Sequence, residues 1–386
     1  MEIVGIDVGF GFTKAYNGSN AIIFKSLIGE ATEIQFHSLL GDEAATSNLH
    51  VTLDNKSYFI GSYAELQSKL PEFTLDQEQL IENYVKILAI TGVGLCSDSQ
   101  EPLNVVTGLP VEYLRRDMRR LKEMIQGVHE ITFHDYDGKD RTKQIIINKI
   151  FVIPQPIGSI FNLILDTNGK IRDKSLAAQK LGVVDIGFRT TDLSIFNRLQ
   201  YIERGSATLN TGISKYYSAL ANKLRRESNI NLELYRIFKF FESGMIKIRG
   251  KEFNLADLKN KIYSQAATTI ASDLNRRWEN DWDIDSIILS GGGSVELAEY
   301  LSNSIKGNII PIQPDIDARL NNVQGYFKFG RHKWGSTQIE TVKEHATQTK
   351  PEPRKPQGRV LDASAPFKQE PSEAALKAMA WLKRQT

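Results

Sequence analysis

Val183-Val184-Asp185-Ile186-Gly187-Phe188-Arg189-Thr190-Thr191-Asp192 is the stretch whose reading decides the fold. An apolar run ends in an acid, a glycine turn with two threonines follows, and Leu193-Ser194-Ile195-Phe196 restores the apolar pattern. That order predicts strand, tight turn, strand. A buried strand ending in Asp-x-Gly puts a carboxylate at the strand tip. It also leaves bare backbone N–H groups in the turn, where glycine lets a phosphate come close. Taken alone, the pattern is more often an ordinary hairpin than a phosphate site.

A second copy stands near the N-terminus: Ile6-Asp7-Val8-Gly9-Phe10-Gly11-Phe12-Thr13-Lys14 aligns with the first without a gap. Asp7 matches Asp185, Gly9 matches Gly187, Phe10 matches Phe188 and Thr13 matches Thr191. A strand–turn–strand unit repeated far apart in one chain predicts two similar domains that hold one ligand from both sides. The copies differ where Lys14 corresponds to Asp192. One hairpin is therefore expected to bring a cation to the β/γ phosphates, the other an acid. A third glycine motif, Ile287-Ile288-Leu289-Ser290-Gly291-Gly292-Gly293-Ser294, precedes a helix expected over 295–305. Strand, glycine run and helix let a base or an α-phosphate lie against backbone near a helix N-terminus.

The whole chain sets bounds on these motifs. Its 386 residues suit two domains plus extras, and 41% hydrophobic residues can build a sizeable core. A net charge of +2 gives no bulk attraction to nucleic acid, so direct nucleic-acid binding is not expected. The single cysteine, Cys96, allows no internal disulfide and points to a cytoplasmic protein with a small buried thiol. No signal peptide and no run of membrane-spanning length is expected. His129 and His134 flank a strand that leads into a turn at Asp137-Gly138, and no metal site is expected there.

In chain order, the first hairpin continues into a meander strand over 21–27, and residues 30–48 read as polar and irregular. A hairpin follows around Asp54-Asn55, then a helix over 75–95 and a buried strand over 103–107. The next helix carries Arg115, Arg116, Arg119 and Arg120, read as a solvated face rather than a partner surface. After a hairpin ending near Ile153, Pro156 opens a helix running through Leu165. Residues 205–212 read as a small-residue loop before a helix through Leu224. Helices are expected over 232–241, 255–278 and 317–329, with a turn at Arg249-Gly250-Lys251. Beyond 337 prolines interleave with charges, which predicts a disordered tail ending in a short helix former over 372–384.

With these motifs placed, residues 1–335 resemble the actin-like ATPase superfamily, in particular the plasmid-segregation actins of the ParM/StbA type and archaeal actin-like relatives. Asp7 to Lys14 is similar to the first phosphate loop, Gln155-Pro156-Ile157-Gly158 to the first connecting segment and Asp185 to Asp192 to the second phosphate loop. Asn210-Thr211-Gly212 stands where the second connecting segment belongs, and Ser290 to Ser294 is similar to the adenosine motif. Val105 to Pro110 and Asn322 to Tyr326 also look like stretches of this subfamily. Gln155 departs from the ParM pattern, where glutamate is usual, and agrees with eukaryotic actin.

The resemblance implies an α/β fold of two similar domains with duplicated ribonuclease-H-like cores around a nucleotide cleft. Domain I would span 1–155, completed by 318–335; domain II would span 156–317, and the tail 337–386. It implies ATP and Mg²⁺ as cofactors, with Asp7 and Asp185 holding the metal through water and Gln155 and Asp185 catalytic. Asp7, Gly9, Phe10, Gly11, Phe12, Thr13 and Lys14 would bind nucleotide from one side. Gly187, Phe188, Arg189, Thr190, Thr191 and Gly212 would bind from the other, with Gly291, Gly292, Gly293 and Ser294 backing the adenosine. It further implies slow ATP hydrolysis in a homopolymeric filament that moves plasmid DNA or other cargo through a DNA-bound adaptor. The alternative is a non-polymerising ATPase of the same fold, chaperone-like or an FtsA-like membrane adaptor. The tail is too hydrophilic for a chaperone's substrate domain, and its terminal Ala375 and Ala378 offer little area to a membrane.

Overall fold

Apolar strands and glycine turns build the first sheet. Glu2–Val8 (β1), Phe12–Tyr16 (β2) and Ala21–Lys25 (β3) form an antiparallel meander in which Asp7 faces Lys14. The computed structural model describes residues 1–32, 49–135, 139–310, 317–335 and 360–362. The irregular stretch expected up to residue 48, the Asp137-Gly138 turn and the terminal helix former lie largely or wholly outside the described residues.

Ile28–Glu30 (β4), Leu49–Leu53 (β5) and Lys56–Ile60 (β6) follow. Asp54 and Asn55 take φ of 52° and 62°, the left-handed pair that a two-residue hairpin with right-handed strand twist requires. Ser62–Gln67 (α1) leads to Gln77–Gln79 (α2), a π-helical turn at Leu80–Tyr84 and Val85–Cys96 (α3). The helix expected over 75–95 is thus present, interrupted by a π-turn that spacing alone does not reveal. Leu103–Leu109 (β7), Leu114–Ile125 (α4), Gly127–Phe133 (β8) and Arg141–Pro154 (β9) come next, then Ile157–Ile164 (α5) and Lys174–Ala177 (α6). The arginines of α4 are largely paired, Arg119 with Glu123 of the same helix at 2.8 Å and Arg120 with Glu82 of the π-helical turn at 2.7 Å.

The second unit starts with Lys180–Ile186 (β10), Thr191–Asn197 (β11) and Gln200–Leu209 (β12). β12 runs through residues expected as loop. Pairing Leu193 with Ala207 and Asp192 with Thr208 fixes the strand despite its small side chains. Ile213–Ser228 (α7) and Leu234–Ser243 (α8) precede Met245–Ile248 (β13) and Lys251–Asn254 (β14). These strands pair through the expected turn, with Arg249 and Gly250 at φ of 49° and 84°. Each has only four residues, too few for a period of two to stand out. Ala256–Arg277 (α9), Ser286–Ser290 (β15), Gly292–Ser302 (α10) and Ile309–Ile310 (β16) complete the unit. Its sheet order is β12-β11-β10-β15-β16.

Asn321–Gly335 (α11) and Val360–Asp362 (β17) return to the first unit. Its sheet order is β17-β3-β2-β1-β7-β9-β8-β5-β6-β4, with β1, β7 and β9 parallel. β1 is covered on both faces, which explains its nearly continuous apolar run. A Cβ on Gly5 would collide with Val323 of α11, whereas Gly92 of α3 lies against Ile6 on the opposite face. The first unit extends to Ala177 rather than ending after residue 155. The reason is α5: Gly158 and Gly325 bring α5 and α11 so close that a Cβ on Gly325 would overlap the Gly158 carbonyl. Within the tail, Val360–Asp362 forms a strand beside β3 rather than disorder.

Cys96 is buried, and burial pushes its thiol above the ordinary range. His129 donates from Nε2 to the Ile125 carbonyl (2.7 Å), and His134 meets Thr52 at 2.7 Å and Asp140 at 3.0 Å. Among the described residues, no three His, Cys, Asp or Glu gather as a direct metal-ligand set. Among them, no helix is long and apolar enough to cross a membrane.

Candidate functional site

In the first unit the site is built at the carboxyl ends of parallel strands, the usual place for ligands in α/β sheets. Asp7, near the tip of β1, is only 3% exposed. Its cross-strand partner Lys14 donates from Nζ to Oδ2 at 2.8 Å. Gln155, just past the end of β9, donates from Nε2 to Oδ1 at 3.3 Å. Both oxygens of one buried carboxylate are therefore engaged, one by a cation and one by an amide. Gln155 is fixed from behind: its N–H donates to the Leu109 carbonyl at 2.8 Å, and the Tyr326 hydroxyl donates to its carbonyl at 3.2 Å.

The Gly9–Gly11 turn is closed by Gly9 N–H donating to the Phe12 carbonyl at 3.1 Å. Ser26 clamps it. Its hydroxyl donates to the Gly9 carbonyl at 2.6 Å and its N–H to the Gly11 carbonyl at 3.0 Å. Thr13 is fully buried, with its hydroxyl 2.9 Å from that of Ser26, so its side chain braces the turn. Phe10 is buried as well. Sequence reasoning missed Ser26. Its only signal is a hydroxyl directly after an apolar strand, which is too common to single out.

The second unit repeats the turn. Gly187 N–H donates to the Thr190 carbonyl at 2.8 Å, and Asp185 at the tip of β10 is 4% exposed. Here the cross-strand partner is Asp192, which accepts from the Thr208 hydroxyl and from the Thr190 hydroxyl at 3.4 Å. The start of α7 docks on the turn: Gly212, Ile213 and Ser214 donate N–H groups to Arg189, Gly187 and Phe188 carbonyls at 2.9, 3.2 and 2.7 Å. A Cβ on Gly212 would collide with Arg189, so glycine here serves the docking of α7. Thr191 is buried and donates to the Thr211 carbonyl at 3.2 Å.

β15 lies parallel to β10, with Ser290 beside Asp185. The glycines that follow have different jobs. Gly291, at φ 82°, is forced because a Cβ would strike both Asp185 and the Ile186 carbonyl. Gly293 packs on Ile186, where a Cβ would lie 2.7 Å from Cγ2. A Cβ on Gly292, the exposed member of the three, would meet only the Arg319 side chain, at 3.4 Å. Ser294 is fully buried, and its hydroxyl donates to the Gly291 carbonyl at 2.6 Å.

The structure thus gathers Asp7, Lys14 and Gln155 with the Gly9–Gly11 turn in one unit. It gathers Asp185, the Gly187–Thr190 turn, Gly212 and Gly291–Gly293 in the other. A buried carboxylate, a lysine and glycine-turn amides suit a polyphosphate with its counter-ion, and a glycine-run backbone exposed at Gly292 suits a flat base.

The family model for the N-terminal domain of actin-like proteins matches residues 5–158. That for the C-terminal domain of the archaeal, MreB-like actin homologue matches residues 183–304. No curated protein sequence matches the chain. Among solved structures, a 15-stranded ParM filament from Clostridium botulinum is 23% identical, with a TM-score of 0.72 over 86% of this chain and 99% of that one. The archaeal actin homologue Ta0583 in complex with ADP is 20% identical, with a TM-score of 0.70 over 86% and 99%. ParM of Bacillus thuringiensis with ATP is 18% identical, with a TM-score of 0.62 over 89% and 99%. At such identities the likeness establishes the fold. With both of its domains matched by models of actin-like proteins, this chain belongs to the actin-like superfamily, and its fold is that of ParM and the archaeal actin homologue Ta0583.

Proposed function

We propose that this protein is a cytoplasmic ATPase that binds Mg-ATP with both hairpins and polymerises in response. The observation that carries the reading is the repeated turn. The same Gly N–H to carbonyl closure recurs in both units beside a buried strand-tip acid, with Lys14 and Gln155 gathered on one of them. Solved relatives described as a filament, with ADP and with ATP support it.

In this reading Lys14 faces the β/γ phosphates and the amides of the two turns cradle them. Asp7 and Asp185 hold Mg²⁺ through its waters, since Mg²⁺ dehydrates reluctantly and takes few protein ligands. Gly291 to Gly293 back the adenosine. When bound, the nucleotide would supply the phosphoryl group and Mg²⁺ would offset its charge. Gln155 donates its amide N–H to Asp7, which leaves its carbonyl oxygen to accept a hydrogen bond from the attacking water and orient it. Asp185 assists from the second unit. Neither needs to be a strong base, because phosphoryl transfer depends chiefly on positioning and charge.

Polymerisation follows if nucleotide favours one arrangement of the two units by contacts made only there. Stacking head to tail is then heterologous and propagates. Plasmid or other DNA, held through an adaptor protein, is the cargo of this proposal. The test is light scattering with electron microscopy, with and without Mg-ATP. The expected result is assembly above a critical concentration, decaying as ATP is consumed. Strictly monomeric sedimentation with Mg-ATP in the micromolar range would favour the non-polymerising ATPase.

A further inference from the structure

The outer edge of β3 poses a problem that the nucleotide site does not. Ala21, Ile22, Ile23 and Phe24 are all buried, and Lys25 is tied to Glu65 at 2.5 Å. Natural edge strands block foreign pairing with charges, prolines or bulges. Ala21-Ile22-Ile23-Phe24 has none of these, and a regular apolar edge of this kind pairs readily with any extended chain. Here the edge is covered. Val360–Asp362 lies parallel to it, with Val360 opposite Ala21, Leu361 opposite Ile22 and Asp362 opposite Ile23.

We propose that the edge of β3 is a strand-docking site whose occupant is this chain's own Val360–Asp362, a detachable cover that keeps β3 from pairing with a second copy of the chain. The tether makes this occupant the favoured one. Residues 336–359 join α11 to β17, and a segment of that length reaches roughly 75–80 Å when extended. It holds β17 at an effective concentration on the order of millimolar. A ladder only three residues long is weak by itself, so the cover depends on the tether and exchanges readily.

Two adjacent prolines test this in the full chain. Successive residues of a strand point their N–H groups to opposite sides, so Val360→Pro/Leu361→Pro removes a ladder donor whichever residue faces β3. The control places the same prolines elsewhere in the tail, as Thr347→Pro/Gln348→Pro. All measurements omit nucleotide, so their failure does not bear on the proposed ATPase. The expected result is amide exchange in residues 21–25 at least tenfold faster in the 360/361 variant than in the parent or the control. That variant should also self-associate with rising concentration in sedimentation velocity, and a synthetic peptide spanning 356–366 at millimolar concentration should reverse both effects. Equal exchange in all three proteins, or equal protection by a scrambled peptide, overturns the docking site. Faster exchange in a variant that stays monomeric overturns the cover.

Discussion

The turn at Gly9–Phe12 and the turn at Gly187–Thr190 are closed by the same backbone bond, at 3.1 and 2.8 Å, yet they brace it differently. In the first unit Ser26 reaches in from the start of the next connection and Lys14 faces the strand-tip acid. In the second unit the start of α7 docks on the turn, and the strand-tip acid faces a second acid. Two carboxylates across a ladder repel one another. The hydroxyls of Thr190 and Thr208 offset this at Asp192. The lesson is that backbone geometry defines such a turn, while the cross-strand position is free to specialise. One hairpin carries its own cation, and the other suits a cation that arrives with a ligand.

The largest effects should come from the two strand-tip acids. Asp185→Ala and Asp7→Ala are each expected to weaken Mg-dependent ATP binding by at least about a hundredfold in calorimetry, or ~2.7 kcal/mol. Each should also abolish assembly. Thermal melts of both variants separate loss of binding from loss of fold, which matters for Asp7 because its removal strands the part-buried Lys14. If one variant keeps parental affinity for Mg-ATP, the two hairpins do not share a ligand and the comparison fails.

Gln155 has no counterpart on the second hairpin, so it sharpens the comparison. Gln155→Ala is expected to keep nucleotide binding and to slow phosphate release by at least about tenfold, ~1.4 kcal/mol in the barrier. Polymers of this variant should outlive those of the parent. A parental release rate would mean that the water is oriented by another group.

What was legible in the sequence is what local chemistry dictates. Asp-x-Gly after an apolar run predicted both hairpins, and the fold followed from their repetition. The Asp54-Asn55 and Arg249-Gly250 turns were visible for the same reason. What stayed hidden depends on partners distant in sequence. Small residues at 205–209 read as loop until β11 is there to pair with them. Ser26 has meaning only once it meets Gly9. The extension of the first unit to Ala177 is set by the Gly158–Gly325 contact, and the strand at 360–362 exists because β3 offers an edge. The glycine run showed the same limit within one motif: three adjacent glycines looked alike, but Gly291 and Gly293 are required by β10, while Gly292 is exposed and a Cβ there would meet only the Arg319 side chain.

The smallest effect on nucleotide is expected at the position where the hairpins diverge. Lys14→Met removes the cation assigned to the phosphates and should weaken ATP binding by about tenfold, ~1.4 kcal/mol. Asp192 occupies the equivalent place but is 2% exposed, with Thr190 and Thr208 donating to it. Its work is internal to the unit. Asp192→Ala removes the acceptor for two hydroxyls, and leaving such groups stranded costs about 1–3 kcal/mol. The low end is expected, because hydroxyls rotate toward new acceptors and the variant also removes a carboxylate facing Asp185. Chemical denaturation should therefore show lower stability, while ATP affinity moves less than about threefold, ~0.65 kcal/mol. A tenfold loss of affinity with unchanged stability would place Asp192 among the ligand-binding groups, and the two cross-strand positions would then share one role despite their opposite charges.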